Sequence, residues 1–337
     1  METFKITDSG LLSSIQDLGR YGYQRYGVSC SGVMDEYSAK IGNFLVGNDE
    51  NAAVIETTLK GISGEFLKDT LISVTGGDCD VFLNDEKIKL WNSYEVKAGD
   101  KLKMGFCKSG LRNYIAFSGG IDVPVIMNSR STNLKAKIGG FSGRKLMVND
   151  TLSTFELLGK KETKGLKEEF VPKALGEIEV RVILGQQQDY FTKAGIETFF
   201  RETYSTTKDG DRMGIRLSGP EVEHIDGADI ISDGITFGAI QIPGNGQPII
   251  MMADRQTTGG YTKIGNVITV DLSKLAQAKP GTKVKFKEVD EKEAIRLMRE
   301  EKELIFSEDS YEIRSKKESF SIILDGKTCE VEIERIK

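Results

Sequence analysis

The densest run of reactive side chains lies at residues 254–263, Asp-Arg-Gln-Thr-Thr-Gly-Gly-Tyr-Thr-Lys. A carboxylate, a guanidinium, an amide, hydroxyls, a phenol and an ammonium follow one another there around a Gly-Gly pair. Arginine can grip a carboxylate or phosphate through two parallel N–H donors. Glycine lets a ligand or another strand come close to the main chain. Two other stretches have a similar make-up. Residues 15–27 hold Gln16, Asp17, Arg20 and Gln24 among three glycines and three tyrosines. Residues 128–146 hold Arg130, Ser131, Thr132, Lys135, Lys137, Arg144 and Lys145 in a long glycine-bearing loop. Each stretch reads either as a pocket wall for an anionic or amide group or as turn scaffolding. The residues alone leave both readings open.

The chain has one histidine, His224, set among acids in Glu-Val-Glu-His-Ile-Asp. Any Ser-His-Asp or Cys-His chemistry would have to run through that residue, and a histidine-rich metal site is excluded. Cys30, Cys79, Cys107 and Cys329 are scattered, without the C-x-x-C spacing of a zinc site or the density of a disulfide framework. No metal is therefore expected. Catalysis, if present, belongs to carboxylates, Arg, Lys, Tyr or backbone donors.

These residues need a scaffold, and the composition allows an ordinary one. With 337 residues, 39% of them apolar and 29% charged, the chain can bury a core without staples and suits two domains or one large one. A net charge of −5 supplies no global field for nucleic acid or anionic lipid. Met1-Glu2-Thr3-Phe4-Lys5 does not open as a signal peptide, and no apolar run has the length of a membrane helix. The expectation is a reduced, cytoplasmic protein.

From 52 to about 158, short β-rich runs alternate with Gly, Asp and Asn: 54–59, 71–75, 81–83 and 114–118, with turns at 76–78, 84–85 and 119–122. Many short strands with turns between them predict an all-β barrel or sandwich. Met34, Tyr37, Ile41, Phe44 and Leu45 recur at helical spacing, so 34–46 is predicted as an amphipathic helix. Residues 159–176 are charge-dense and read as a linker. Strands resume at 178–184, and Phe237–Ile242 and Pro248–Ala253 flank a Pro-Gly-Asn-Gly turn. A second helix is predicted over 291–306, then a hairpin on Asp325-Gly326. The domain expectation is an N-terminal unit at 1–158, the linker, a C-terminal unit at 177–290 and a tail at 291–337. No G-x-G-x-x-G opens a helix, and no Walker A sequence is present.

Several segments together resemble the allophanate hydrolase subunit 2 family, also called the KipA or biotin-dependent carboxyltransferase family, which includes the C component of 5-oxoprolinase. They are 16–20 (Gln-Asp-Leu-Gly-Arg), 31–35 (Ser-Gly-Val-Met-Asp), 118–122 (Ser-Gly-Gly-Ile-Asp), 129–132 (Ser-Arg-Ser-Thr), the glycines at 139, 140 and 143 with Arg144, 211–217 and 254–261. The resemblance implies an all-β, cyclophilin-like architecture with two β-barrel subdomains and few short helices. It also implies a KipI-like partner (the B component of 5-oxoprolinase) and a LamB/YcsF-like partner (its A component). In the complex, ATP would be used to open 5-oxo-L-proline to L-glutamate. Two alternatives stand beside it: a carboxyltransferase subunit of a urea carboxylase-type enzyme, and a KipA-type regulator of a kinase inhibitor. No Met-Lys-Met biotin-attachment sequence occurs, so biotin is not expected on this chain. Phosphorylating an amide oxygen builds charge on oxygens, which arginines and amides stabilise. On that logic Arg255, Asp254, Tyr261, Arg20 and Asp17 form the expected catalytic set. Arg130, Arg212, Gln241, Thr257, Thr258, Gly259 and Gly260 are expected to bind substrate.

Overall fold

The computed structural model describes residues 1–156, 162–173, 176–324 and 327–336, with side chains as far as Arg314. The chain is mainly β, as its short alternating runs require. In the N-terminal half the described strands join one twelve-stranded antiparallel sheet. Its long central pair, Thr70–Leu83 and Lys101–Phe117, runs from Ile72 opposite Phe117 to Leu83 opposite Leu102. The sequence reading broke the first of these strands at Gly76-Gly77-Asp78. The structure instead carries it through with shifts of register between Gly76 and Val81. Gly76 has φ of 101°, and a Cβ there would collide with the Arg112 carbonyl oxygen. The glycines thus make a bulge in a continuous strand, not a turn. Phe4, Phe66, Ile72, Ile115 and Phe117 fill the core beneath.

Seven strands of the C-terminal half close into a barrel: Glu177–Leu184, Lys263–Val267, Ala239–Gln241, Ile249–Met251, Gly214–Ser218, Thr203–Thr206 and Lys283–Glu288. Closure comes from parallel pairing of the first and last, Ile178 opposite Val284. Val180, Val182, Tyr204, Ile240 and Ile250 fill it, and Phe199 stacks on Phe286 with ring centroids 4.2 Å apart. Of the two barrels expected, this is the one seen as a closed ring. The two runs around the Pro-Gly-Asn-Gly turn do pair, Ile240 opposite Ile250. Residues Asp229–Gly234 and Thr258–Tyr261 form a separate two-stranded ribbon, so Gly259 and Gly260 lie in a strand, not in a loop.

Helix α1 (Glu36–Leu45) is capped by Asp35, whose side chain accepts from Ser38 N at 3.0 Å. Helix α2 (Lys193–Arg201) brings Phe199 to the barrel, and α3 (Leu272–Ala276) lies between the last two barrel strands in the chain. Helix α4 (Glu291–Phe306) leaves the barrel and packs on α1, with Ile305 beside Tyr37, Ile41, Leu45 and Trp91. The chain then returns to the first sheet: Tyr311–Leu324 pairs with Glu162–Leu166, a strand inside the stretch read as a linker, and with Lys327–Ile336. The predicted Asp325-Gly326 turn lies outside the described residues. Among those residues no helix is long and apolar enough to cross a membrane.

Candidate functional site

The two halves meet along a polar seam. Glu56, on the strand Val54–Thr58, is buried and accepts from Met34 N at 2.8 Å, from Tyr114 Oη at 2.9 Å and from Arg212 Nη1. Arg212 comes from the opposite half. It also donates to the Gly32 carbonyl at 2.5 Å and, through Nε, to Asp254 at 2.9 Å. Burial works against the charge on Arg212, but Asp254 and then Glu56 outweigh it and hold the guanidinium protonated above its ordinary value. Farther along the seam Gln277 donates to Asp35 at 2.8 Å and accepts from Leu111 N and Arg112 N at 2.9 and 3.0 Å. Burial raises Asp35 above the usual carboxylate value despite its bonds to Gln277 and Ser38. Met34 crosses the seam and is packed into the barrel's core.

A second knot lies in the N-terminal half. The Asp17 carboxylate accepts from Ser129 Oγ at 2.7 Å, Gly19 N at 2.9 Å, Arg130 N at 2.6 Å and from Ser131 Oγ. Arg20 is fully buried and donates to the carbonyls of Ile126 and Ser131 at 2.9 and 2.8 Å. Burial lowers its pKa against the pull of Asp17 and Asp254. Gly139, with φ of 70°, lets this guanidinium pass, since a Cβ there would lie 2.6 Å from Arg20 Nη2. Arg130 lies over the ring of Phe155 at 5.1 Å. Asp17 and Arg20 therefore tie the loops at 17–20 and 126–131 together.

In front of the seam is a cleft of about 580 Å³, within the roughly 300–1,000 Å³ of small-molecule sites. Gly27–Ser29 and Asn133–Ala136 form one wall, and Asp211–Met213 with Asp254, Gln256 and Thr257 form the other. The first wall is braced by Asn133, which exchanges backbone bonds with Ile138 at 2.8 and 3.1 Å and accepts from Ala136 N at 2.8 Å. The other is braced by Asp211, accepting from Met213 N at 2.7 Å and Gly214 N at 3.2 Å, and by the Arg212–Asp254 pair. Among the described residues the side chains of Ser29, Lys135, Gln256 and Thr257 have no protein partner, so they keep their hydrogen-bonding capacity for a ligand. A smaller hollow of about 270 Å³ lies under residues 139–143, with Asp122 and Lys137 as its charged groups.

Of the residues singled out from sequence, Arg212, Asp254 and Thr257 come together on this cleft. Asp17, Arg20 and Arg130 belong to the knot. Arg255 turns away, donating to the carbonyls of Ile235 and Met252 at 3.3 and 3.2 Å and lying 5.2 Å from the Phe237 ring centroid. Gln241 is buried in a barrel strand, and Thr258, Gly259, Gly260 and Tyr261 form the ribbon. Lys135, named for the charge of its loop, also lines the cleft, whereas Ser29, Asn133, Asp211 and Gln256 were not among the expected site residues. The polarity of the 128–146 loop was the available signal: of the residues it named, Lys135 reaches the cleft, together with its neighbours Asn133, Leu134 and Ala136, while Arg130 to Thr132 do not line it. Among the described residues no three His, Cys, Asp or Glu side chains gather as a metal site.

Residues 26–288 match the family described as carboxyltransferase domain, subdomain A and B. The chain belongs to this family. The carboxyltransferase domain is 38% identical over 294 residues to the C component of 5-oxoprolinase from Haemophilus influenzae, covering 87% of this chain and 94% of that protein. It is 35% identical over 299 residues to the C component of 5-oxoprolinase from Escherichia coli, covering 88% and 94%. The crystal structure of the Kluyveromyces lactis urea carboxylase superposes with a TM-score of 0.86 at 30% identity, over 92% of this chain but 30% of that one. Both walls of the cleft lie within the matched family region.

Proposed function

We propose that this carboxyltransferase domain is a component of an ATP-dependent 5-oxoprolinase, working with a KipI-like and a LamB/YcsF-like subunit to hydrolyse 5-oxo-L-proline to L-glutamate. One observation carries the reading: the likeness to the C component of 5-oxoprolinase extends over 94% of two such proteins, whereas the urea carboxylase match occupies 30% of a longer chain. In the proposed reaction ATP activates the lactam oxygen. This chain's part is to hold the lactam in the cleft, with Asp254 accepting its N–H and Gln256 and Thr257 donating to its carbonyl oxygen. Arg212 holds Asp254 in place for that role through its Nε–H. In this reading the chain itself carries no biotin, and its two halves are two β-barrel subdomains of a cyclophilin-like architecture.

The high structural likeness to a urea carboxylase favours a second reading, transfer of a carboxyl group from a partner's carboxybiotin. Affinity capture of the tagged chain from its own cells separates the two. Recovery of both partner subunits with ATP-dependent glutamate release supports the first reading, and a biotinylated protein in the eluate supports the second. In the reconstituted complex Asp254→Asn should lower turnover at least tenfold with assembly unchanged. Undiminished turnover would remove the cleft from the reaction.

A further inference from the structure

The central strand pair of the N-terminal half carries two thiols that neither the cleft nor the knot uses. Cys79 stands directly opposite Cys107, with Asp78 against Ser109 on one side and Val81 against Met104 on the other. The register shifts on both flanks, so the two cysteines sit between bulges, where the ladder is most interrupted. Cys107 N donates to the Leu59 carbonyl at 2.7 Å, so no ladder bond from it ties the two thiol-bearing residues together. Both cysteines are free, 4% and 8% exposed, and belong to the core cluster that holds Val81 and Met104. Residues opposite each other on antiparallel strands share a face and have Cα atoms roughly 4.5–5.5 Å apart, inside the roughly 4.4–6.8 Å that a disulfide spans.

The same length of strand is where the C-terminal half takes hold. Lys279 Nζ donates to the carbonyls of Cys107 and Lys108 at 2.8 and 2.9 Å, and Gln277 accepts from Leu111 N and Arg112 N. Cys107 Sγ donates to Asn113 Oδ1 at 3.1 Å, and Asn113 in turn donates to the Thr75 carbonyl at 3.3 Å and to that of Gly77. A bond at Cys107 therefore acts on the strand that the seam grips.

We infer that Cys79 and Cys107 close a reversible disulfide when a hydroperoxide reaches them, forming a redox latch beside the seam. Burial pushes both thiols up, Cys79 to about 12 with Cys107 as the next contributor, and Cys107 to about 11. Cys107 is the more acidic and makes the first attack. Its thiolate takes one oxygen of the peroxide, the O–O bond breaks, and the released hydroxide leaves as water with the thiol proton. The Cys79 sulfur then attacks the resulting sulfenic acid, its S–O bond breaks, and a second water leaves with the Cys79 proton. Two thiols and one hydrogen peroxide thus give one disulfide and two waters, the two electrons passing from sulfur to oxygen. The new bond takes the place of the ladder contacts missing at the bulges and fixes the carbonyls that Lys279 holds.

The test treats the full chain with hydrogen peroxide, blocks the remaining thiols and maps the digest by mass spectrometry, with and without a dithiol reductant. A peptide pair joined through Cys79 and Cys107 should appear and vanish on reduction. Its rate of formation should rise about tenfold per pH unit near neutrality, because the thiolate is the reacting form. The oxidised chain should melt several degrees above the reduced one, and the Leu111 and Arg112 amides should exchange more slowly with solvent. Cys79→Ala and Cys107→Ala should each abolish the link, the melting gain and the slower exchange, while leaving Cys30 in place as a control. The inference is overturned if both cysteines are recovered as free thiols or as sulfinic acids. It is equally overturned if the link forms but melting and exchange stay as they were, or if the gain survives in either alanine variant.

Discussion

The seam and the cleft in front of it have nearly the same chemical make-up, yet they differ in what is left over. In the seam Glu56, Arg212, Gln277 and Asp35 are matched donor to acceptor, and the knot beside it consumes Asp17 in the same way. In the cleft Ser29, Lys135, Gln256 and Thr257 face solvent-filled space without protein partners among the described residues. Charged residues gathered at a turn are thus not by themselves the sign of a binding site. Unspent hydrogen-bonding capacity is the better sign, because a saturated guanidinium cannot turn to a ligand without leaving a buried carboxylate unpaired. Breaking the seam should therefore harm folding, and altering the cleft should harm binding.

The largest effect is expected at Arg212. Arg212→Met leaves Glu56, 2% exposed, buried with its close ion pair gone and Arg112, 4.0 Å away, as its remaining cation; removing one member of a buried pair costs about 3–5 kcal/mol. Urea denaturation should show a loss of that size, and Glu56→Gln in the same chain should recover part of it, because the stranded charge is gone. A loss below about 1 kcal/mol, the usual size for an exposed pair, would mean that the seam does not hold the halves together.

A smaller effect is expected where α4 crosses α1. Burial pushes Glu301 up to about 7 from an ordinary 4.5; Lys40 opposes the shift, and Asp35, Glu36 and Asp271 add to it. The folded chain then holds a proton over a window in which the unfolded chain has lost it. Stability should accordingly be highest below about pH 4.5 as far as this group is concerned, and fall as pH rises through about 7. Glu301→Gln should stabilise the protein at pH 8 by roughly 1–3 kcal/mol, with the gain vanishing near pH 4. A gain that did not change with pH would place the effect in packing, not in charge.

Much of this architecture could be read in the sequence. The alternation at 54–59 and 178–184 and the Pro-Gly-Asn-Gly hairpin became strands because a half-buried pleated surface needs that period. The helix predicted over 34–46 and found at Glu36–Leu45 was marked by its apolar spacing. What could not be read was partnership over distance. Nothing local to Arg212 says that its carboxylate partner sits 156 positions earlier at Glu56, nor does anything local to Glu162–Leu166 say that a strand from the far end of the chain will pair with it. A charge-dense stretch looks like a linker until such a partner arrives. The same limit applied within the site. The motif at 254–261 is continuous in sequence, but the structure splits it after Thr257, sending Asp254, Gln256 and Thr257 to the cleft, Arg255 away from it, and Thr258–Tyr261 to the ribbon.

That split supplies the finest test of the comparison. Thr257→Val keeps the shape of the side chain and removes its hydroxyl, while Tyr261→Phe removes the hydroxyl of a phenol that is 42% exposed on the ribbon and does not line the cleft. Neither oxygen has a protein partner among the described residues, so both variants should melt within about 0.5 kcal/mol of wild type. They should part company in binding. Thr257→Val loses a donor to the ligand carbonyl, a neutral hydrogen bond worth about 0.5–1.5 kcal/mol, and should weaken 5-oxo-L-proline binding, read by calorimetric titration, severalfold. Tyr261→Phe should leave it unchanged. If Tyr261→Phe were the damaging variant and Thr257→Val the silent one, the ligand would be reading the ribbon, and the boundary drawn after Thr257 would have to move past Tyr261.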